Sequence, residues 1–167
     1  MIIVRRCQSR TALATFLLPV CSDDLRRVLH HLPITPELLV AALASWDIVE
    51  FFDTEKDVLI GAAVREPNHH VHIYVDSSRR MSWSPHVSLQ AALDIFLSDS
   101  DKLYAAIPLA DRTTIKMISR LGFIHTKTED GVAFHVVTPQ TRTMFDKNKR
   151  ERVLRHRDLR LPETLSG

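Results

Sequence analysis

The first residues in this chain with chemistry to offer are two histidines two positions apart. Alternation through residues 69–76 puts His70, His72, Tyr74 and Asp76 on one face of a strand, and Val71, Ile73 and Val75 on the other. Imidazole and carboxylate groups so placed can accept a proton, directly or through water. His72 and Asp76 are the catalytic candidates, with His70 and Glu50 as further proton acceptors. The plainer reading is a hydrogen-bonded structural histidine on a half-buried strand. His70 and His72 share a face and could chelate, but no third ligand stands at a recognised spacing and there is no cysteine pair; no metal is expected. Arg79 and Arg80 follow in a polar loop over 77–85. Two guanidinium groups can bind a phosphate, although a solvated loop is the simpler account.

These groups need elements to hold them, and the stretch 102–123, KLYAAIPLADRTTIKMISRLGF, is the most organised. Residues 103–107 read as a strand stopped by Pro108. Ile115, Ile118 and Leu121 then recur at helical spacing, with Met117 beside them. Asp111 is placed to cap that helix, and Gly122 to end it in a left-handed conformation before Phe123 enters the next strand.

The rest falls into order around it. Residues 1–7 read as a strand. Ser9 caps a helix whose stripe is Leu13, Phe16, Leu17 and Val20, with Pro19 positioned to break or kink it. A short helix is predicted over 23–31 and another from Thr35-Pro36-Glu37. Residues 48–52 and 58–64 are strands joined by a charged turn, and 69–76 is the next. Val87, Leu89, Ala92, Leu93 and Phe96 mark a helix started by Ser84 and Pro85. Residues 124–128 and 132–137 close as a hairpin around Gly131. The order β-α-α-β-β-β-α-β-α-β-β predicts an α/β fold of the α+β kind, a mixed sheet with helices on both faces.

A chain of 167 residues, 45% hydrophobic and 25% charged, suits one soluble domain. No apolar run is long enough for a membrane helix, and the N-terminus has no basic-then-apolar layout, so no membrane is expected among the partners. Two cysteines, Cys7 and Cys21, read as reduced thiols of a cytoplasmic protein. The net charge of +2 is uneven: residues 140–167 hold eight Lys or Arg against four Asp or Glu. The expected division is a core domain over 1–139 and a basic tail over 140–167, partly helical or extended. Lys147, Lys149, Arg150, Arg152, Arg155 and Arg157 are its candidate contacts, for a protein partner or oligomer, and more weakly for nucleic acid.

The element order and the helix ending Leu121-Gly122-Phe123 resemble the GNAT (N-acetyltransferase) superfamily, with Asp111 at the family's usual asparagine position. The resemblance implies that acetyl-CoA, where it binds, is held by the backbone of Ile73, Tyr74 and Val75, with Arg79 and Arg80 on the pyrophosphate and Asp111 at the helix start. Two departures matter. The family's pyrophosphate loop is glycine-rich, because a side chain keeps backbone N–H groups from the phosphates. Here no glycine lies between Gly61 and Gly122. Many members also carry a tyrosine that protonates the thiolate, where this chain has Ile118.

The favoured reading is therefore a GNAT-fold protein without acetyl-CoA catalysis and without a cofactor, acting as a binding or assembly component. The likeness is greatest to the GNAT-like proteins of tailed bacteriophages, which implies a virion or head-assembly role. The alternative is an active acetyl-CoA-dependent N-acetyltransferase acting on a primary amine. Its location would be the cytoplasm, or on the first reading the virion.

Overall fold

The computed structural model describes residues 1–20, 34–76, 78 and 85–144. Strands β1 (Ile2–Arg6), β2 (Asp47–Asp53), β3 (Val58–Arg65) and β4 (Val71–Val75) form one antiparallel sheet in that order. A second antiparallel sheet runs β5 (Leu103–Pro108), β7 (Val132–Val137), β6 (Ile124–Glu129). Among the described residues the helices are α1 (Arg10–Val20), α2 (Pro36–Ala42), α3 (Pro85–Leu97) and α4 (Arg112–Ser119). A 3-10 turn, Leu43–Ser45, follows α2, and 139–144 form a final helical turn. The helix predicted over 23–31 lies outside the described residues.

Side-chain caps start α1, α2 and α4 where the sequence placed them; Ser84, the expected start of α3, lies outside the described residues. Ser9 Oγ accepts from the Ala12 amide at 3.2 Å, Thr35 Oγ1 from Leu38 at 3.2 Å, and Asp111 Oδ1 from Thr114 at 3.0 Å. Pro19 sits in the last turn of α1 without ending it before Val20. Short polar residues turn the hairpins: Asp57 has φ 53°, and Asp130 with Gly131 has φ 48° and 76°.

Helices cover both faces of the first sheet. Leu13, Ala14 and Leu17 of α1 pack with Leu39 and Leu43 over Ile48, Ala62, Val64 and Tyr74. On the opposite face Leu89, Leu93 and Phe96 of α3 and Ile118 of α4 join Val49, Phe51, Leu103 and Val137. This apolar burial is the main term that holds the layers together.

Gly122 has φ +94°, and its missing side chain leaves room for the chain at Thr141 and Arg142. Arg142 is buried there, donating to Asp94 of α3 at 2.9 Å and to the Leu121 carbonyl at 3.2 Å. Thr141 and Arg142 are thus packed against the body.

The one architectural difference concerns the single mixed sheet expected from the element order. The two sheets touch through one parallel bridge, His70 to Tyr104, and β4 and β5 then separate. A crossover helix dictates that two strands run parallel, but not that they pair along their length.

Candidate functional site

The gap between β4 and β5 is the natural place for a ligand. Parallel strands that part at their carboxyl ends leave a crevice there, as in other open α/β sheets. The cleft has a volume of about 590 Å3. Val71, Ile73 and Val75 form one wall, residues 105–108 the other, and Asp111, Thr114, Met117 and Ile118 of the α4 segment close it.

The register of β4 on β3 decides which backbone groups face this gap. Asp76 donates its amide to Ile60, and His70 accepts from Glu66, so β4's even-numbered residues exchange hydrogen bonds with β3. The N–H and C=O groups of Ile73 and Val75 therefore point away from β3, into the cleft. Tyr74, the third residue of the expected backbone set, turns its backbone toward β3, and its side chain is buried under α1 and α2.

The proton-accepting candidates separate clearly. The His70 imidazole stacks on Tyr104 with ring centroids 5.6 Å apart, at the point where the strands part. Burial pushes its pKa down, against the pull of the Glu66 carboxylate. Asp76 spends its carboxylate on the following turn, accepting from the Ser78 amide at 2.9 Å and the Ser78 hydroxyl at 2.6 Å. Glu50 is 3% exposed and lies two strands from β4, about 10 Å away at ordinary strand spacing. It accepts from Arg5 Nε at 3.2 Å and helps raise the Cys7 thiol to about 11, an effect due first to burial.

His72 is different. It lines the cleft, is half-buried, and its Nε2 is hydrogen-bonded to Glu66 Oε1. Its ring lies nearly parallel to both Trp46 and Tyr74, with centroids 6.2 and 6.3 Å away and planes inclined by 17° and 6°. Trp46 is itself held by Arg10 Nη2, which donates to its carbonyl at 3.0 Å. Glu66 and Trp46 carried no functional signal in the sequence. Once the hairpin closes on Glu66 and His70, however, Glu66 is a diagonal neighbour of His72.

Asp111 lines the cleft but uses both carboxylate oxygens on Thr114, one on its amide and one on its hydroxyl at 2.6 Å. Ile118 is 2% exposed and offers the cleft wall no proton. Arg79 and Arg80 lie outside the described residues, as do Lys147, Lys149, Arg150, Arg152, Arg155 and Arg157. Among the described residues no group of three or more His, Cys, Asp or Glu could hold a metal ion. No helix among them is long and apolar enough to cross a membrane.

Comparison with solved structures places this architecture. No protein-family profile and no curated protein matches the chain. It is similar to an acetyltransferase candidate of Acinetobacter baylyi ADP1, with 17% identity and a TM-score of 0.65 over 83% of this chain and 93% of that one. It is also similar to the spermidine N-acetyltransferase of Vibrio cholerae in complex with CoA and spermine. There the identity is 12% and the TM-score 0.64, over 85% of this chain and 98% of that one. An N-acetyltransferase from Staphylococcus aureus Mu50 gives 19% identity and a TM-score of 0.63, over 83% and 98%. The fold is that of the GNAT-type N-acetyltransferases.

Proposed function

We propose that the cleft between β4 and β5 binds an acyl-CoA thioester as a substrate, and that the protein transfers its acyl group to an amine. The observation that supports this is the parting of the strands. A pantetheine arm carries two amides and is otherwise slender and apolar. It matches a crevice with an apolar wall and outward-turned backbone groups at Ile73 and Val75. The N–H groups on that edge are suited to the thioester carbonyl oxygen as negative charge develops on it. The Vibrio cholerae relative, whose structure holds CoA and spermine, supports a primary amine as acceptor. Arg79 and Arg80 are the cationic groups nearest in sequence to the end of β4, and under this reading they meet the pyrophosphate.

Ile118 favours a second reading. An isoleucine where many members of the fold carry a proton-donating tyrosine suits a chain that keeps the fold but not the reaction, as in the assembly role implied by the likeness to phage GNAT-like proteins. The solved structures above are bacterial acetyltransferases or a candidate for one, and lend that role no support.

Titration calorimetry with acetyl-CoA separates the two. The expected result is a 1:1 complex near micromolar affinity, about −8 kcal/mol. Ala106 is exposed and lines the cleft, so Ala106→Trp should block binding without disturbing the core. No heat at millimolar acetyl-CoA would leave the second reading in possession.

A further inference from the structure

We infer that the solvent side of α4 is a docking surface for the phosphate backbone of a nucleic acid duplex, with the basic tail as its continuation. This surface lies outside the cleft and does not rest on the acyl-transfer reading.

Arg112, Lys116 and Arg120 stand four residues apart and so follow one another along one side of the helix, with Arg120 at its C-terminal cap. All three are exposed. Thr113, Thr114, Met117 and Ile118 line the cleft, and none of the three cations does. Arg5, Arg6, Arg65 and Arg142 each meet a carboxylate. Arg112, Lys116 and Arg120 have no ion pair among the described residues. The one acid in the sequence from 108 to 123 is Asp111, whose carboxylate accepts from Thr114.

Such an arrangement does not serve the helix itself. Like charges at i,i+4 repel, and this short helix carries two such pairs, 112 with 116 and 116 with 120. Recognition of an anion accounts for that cost. Four residues of helix rise about 6 Å, so the three cations span about 12 Å, along which one strand of a duplex presents a phosphate about every 3.4 Å.

The occupant follows from the side chains and from the adjoining chain. The α4 sequence, RTTIKMIS, has no aromatic residue, the usual anchor of a protein interface and the usual platform for single-stranded bases. Arginine, lysine and threonine heads are instead the groups that hold phosphate oxygens. A Cβ on Gly122 would stand 3.2 Å from the Cα of Arg142, so the chain that leads into the tail passes the C-terminal end of this stripe. The 23 residues after Met144 hold seven Lys or Arg against four Asp or Glu, whereas residues 1–144 hold 15 against 16. The charge of the tail thus begins beside Arg120, on a body that is otherwise near neutral.

Fluorescence anisotropy of a labelled DNA duplex of about 20 base pairs tests this on the full chain, with affinity read from about 50 to about 300 mM NaCl. Each phosphate contact adds about 0.9 to the slope of log affinity against log salt. Replacing the three residues together, Arg112→Gln with Lys116→Gln and Arg120→Gln, should flatten that slope by about 2.7 and weaken binding about 10-fold or more at the lowest salt. A charge-matched control, Lys56→Gln with Lys102→Gln and Lys127→Gln, removes three exposed lysines away from α4 and should change the slope by less than about 1. The melting temperature of the α4 variant should hold or rise, because its like-charge pairs are gone. A fall in melting temperature would give the stripe a structural duty and overturn the inference. Equal losses in the two variants, an unchanged slope in the α4 variant, or no duplex binding by wild-type protein would also overturn it. Tighter binding to polyglutamate of similar charge would point to an acidic protein instead, and tighter binding to the single strand would exclude the duplex. Displacement of the duplex by millimolar acetyl-CoA would assign the three cations to the cleft.

Discussion

Replacing Gly122 by alanine separates two demands that meet at one residue. The first is conformational: φ is +94°, where an L-residue costs about 1–2 kcal/mol. The second is steric. A Cβ there would stand 3.2 Å from the Cα of Arg142 and 3.2 Å from the Thr141 carbonyl, both backbone atoms that cannot rotate aside. Crowding of this kind adds about 1–3 kcal/mol. Gly131 is the control, because its φ is +76° and a Cβ would meet nothing within 4 Å. Gly131→Ala should therefore cost about 1–2 kcal/mol and Gly122→Ala about 2–5 kcal/mol. Urea unfolding followed by circular dichroism reads the difference directly. At a slope of about 2 kcal/mol per molar, the midpoints of the two variants should differ by about 1 M. Equal midpoints would refute the reasoning, since the turn at 141–142 would then not bear on Gly122.

Other consequences are open to measurement. His135 is 3% exposed beside His125, and burial depresses its pKa below the usual histidine value. A neutral buried imidazole contributes stability above the unfolded pKa, about 6.5, and loses it as pH falls toward the depressed folded value. His70 shifts in the same direction for the same first cause. Urea midpoints should thus drop from neutral to mildly acidic pH, and His135→Asn should flatten that slope; an unchanged slope would clear His135 of the effect. Cys7, pushed up to about 11 by burial with help from Glu50, should resist alkylation. In a Cys21→Ser background its reaction near pH 8 should be about 100-fold slower folded than unfolded, from the thiolate fractions alone. Comparable rates would show an open, unburied thiol.

Much of the fold was legible in the chain because its signals are local. Ser9, Thr35 and Asp111 announce helix starts through hydrogen bonds that span three residues. Alternation along 69–76 sorted His72 and Tyr74 from Ile73 and Val75, and the structure keeps that sorting on opposite faces of β4. Gly122 was recognisable as a helix stop because φ is a property of one residue. Its second duty, giving passage to Arg142, depends on a residue 20 positions later and left no trace in the local pattern.

The site divides in the same way. Sequence alone determined that an imidazole lies on the fourth strand and that no tyrosine stands where Ile118 does. Only the tertiary structure decided that β4 and β5 part after a single bridge, which turns Ile73 and Val75 toward a cleft and Tyr74 away from it. Only it brought Glu66, Trp46 and Tyr74 around His72. The reason is range. Side-chain periodicity and capping are set by neighbours along the chain, whereas a strand's register and a ring's partners depend on segments that meet only when the layers pack.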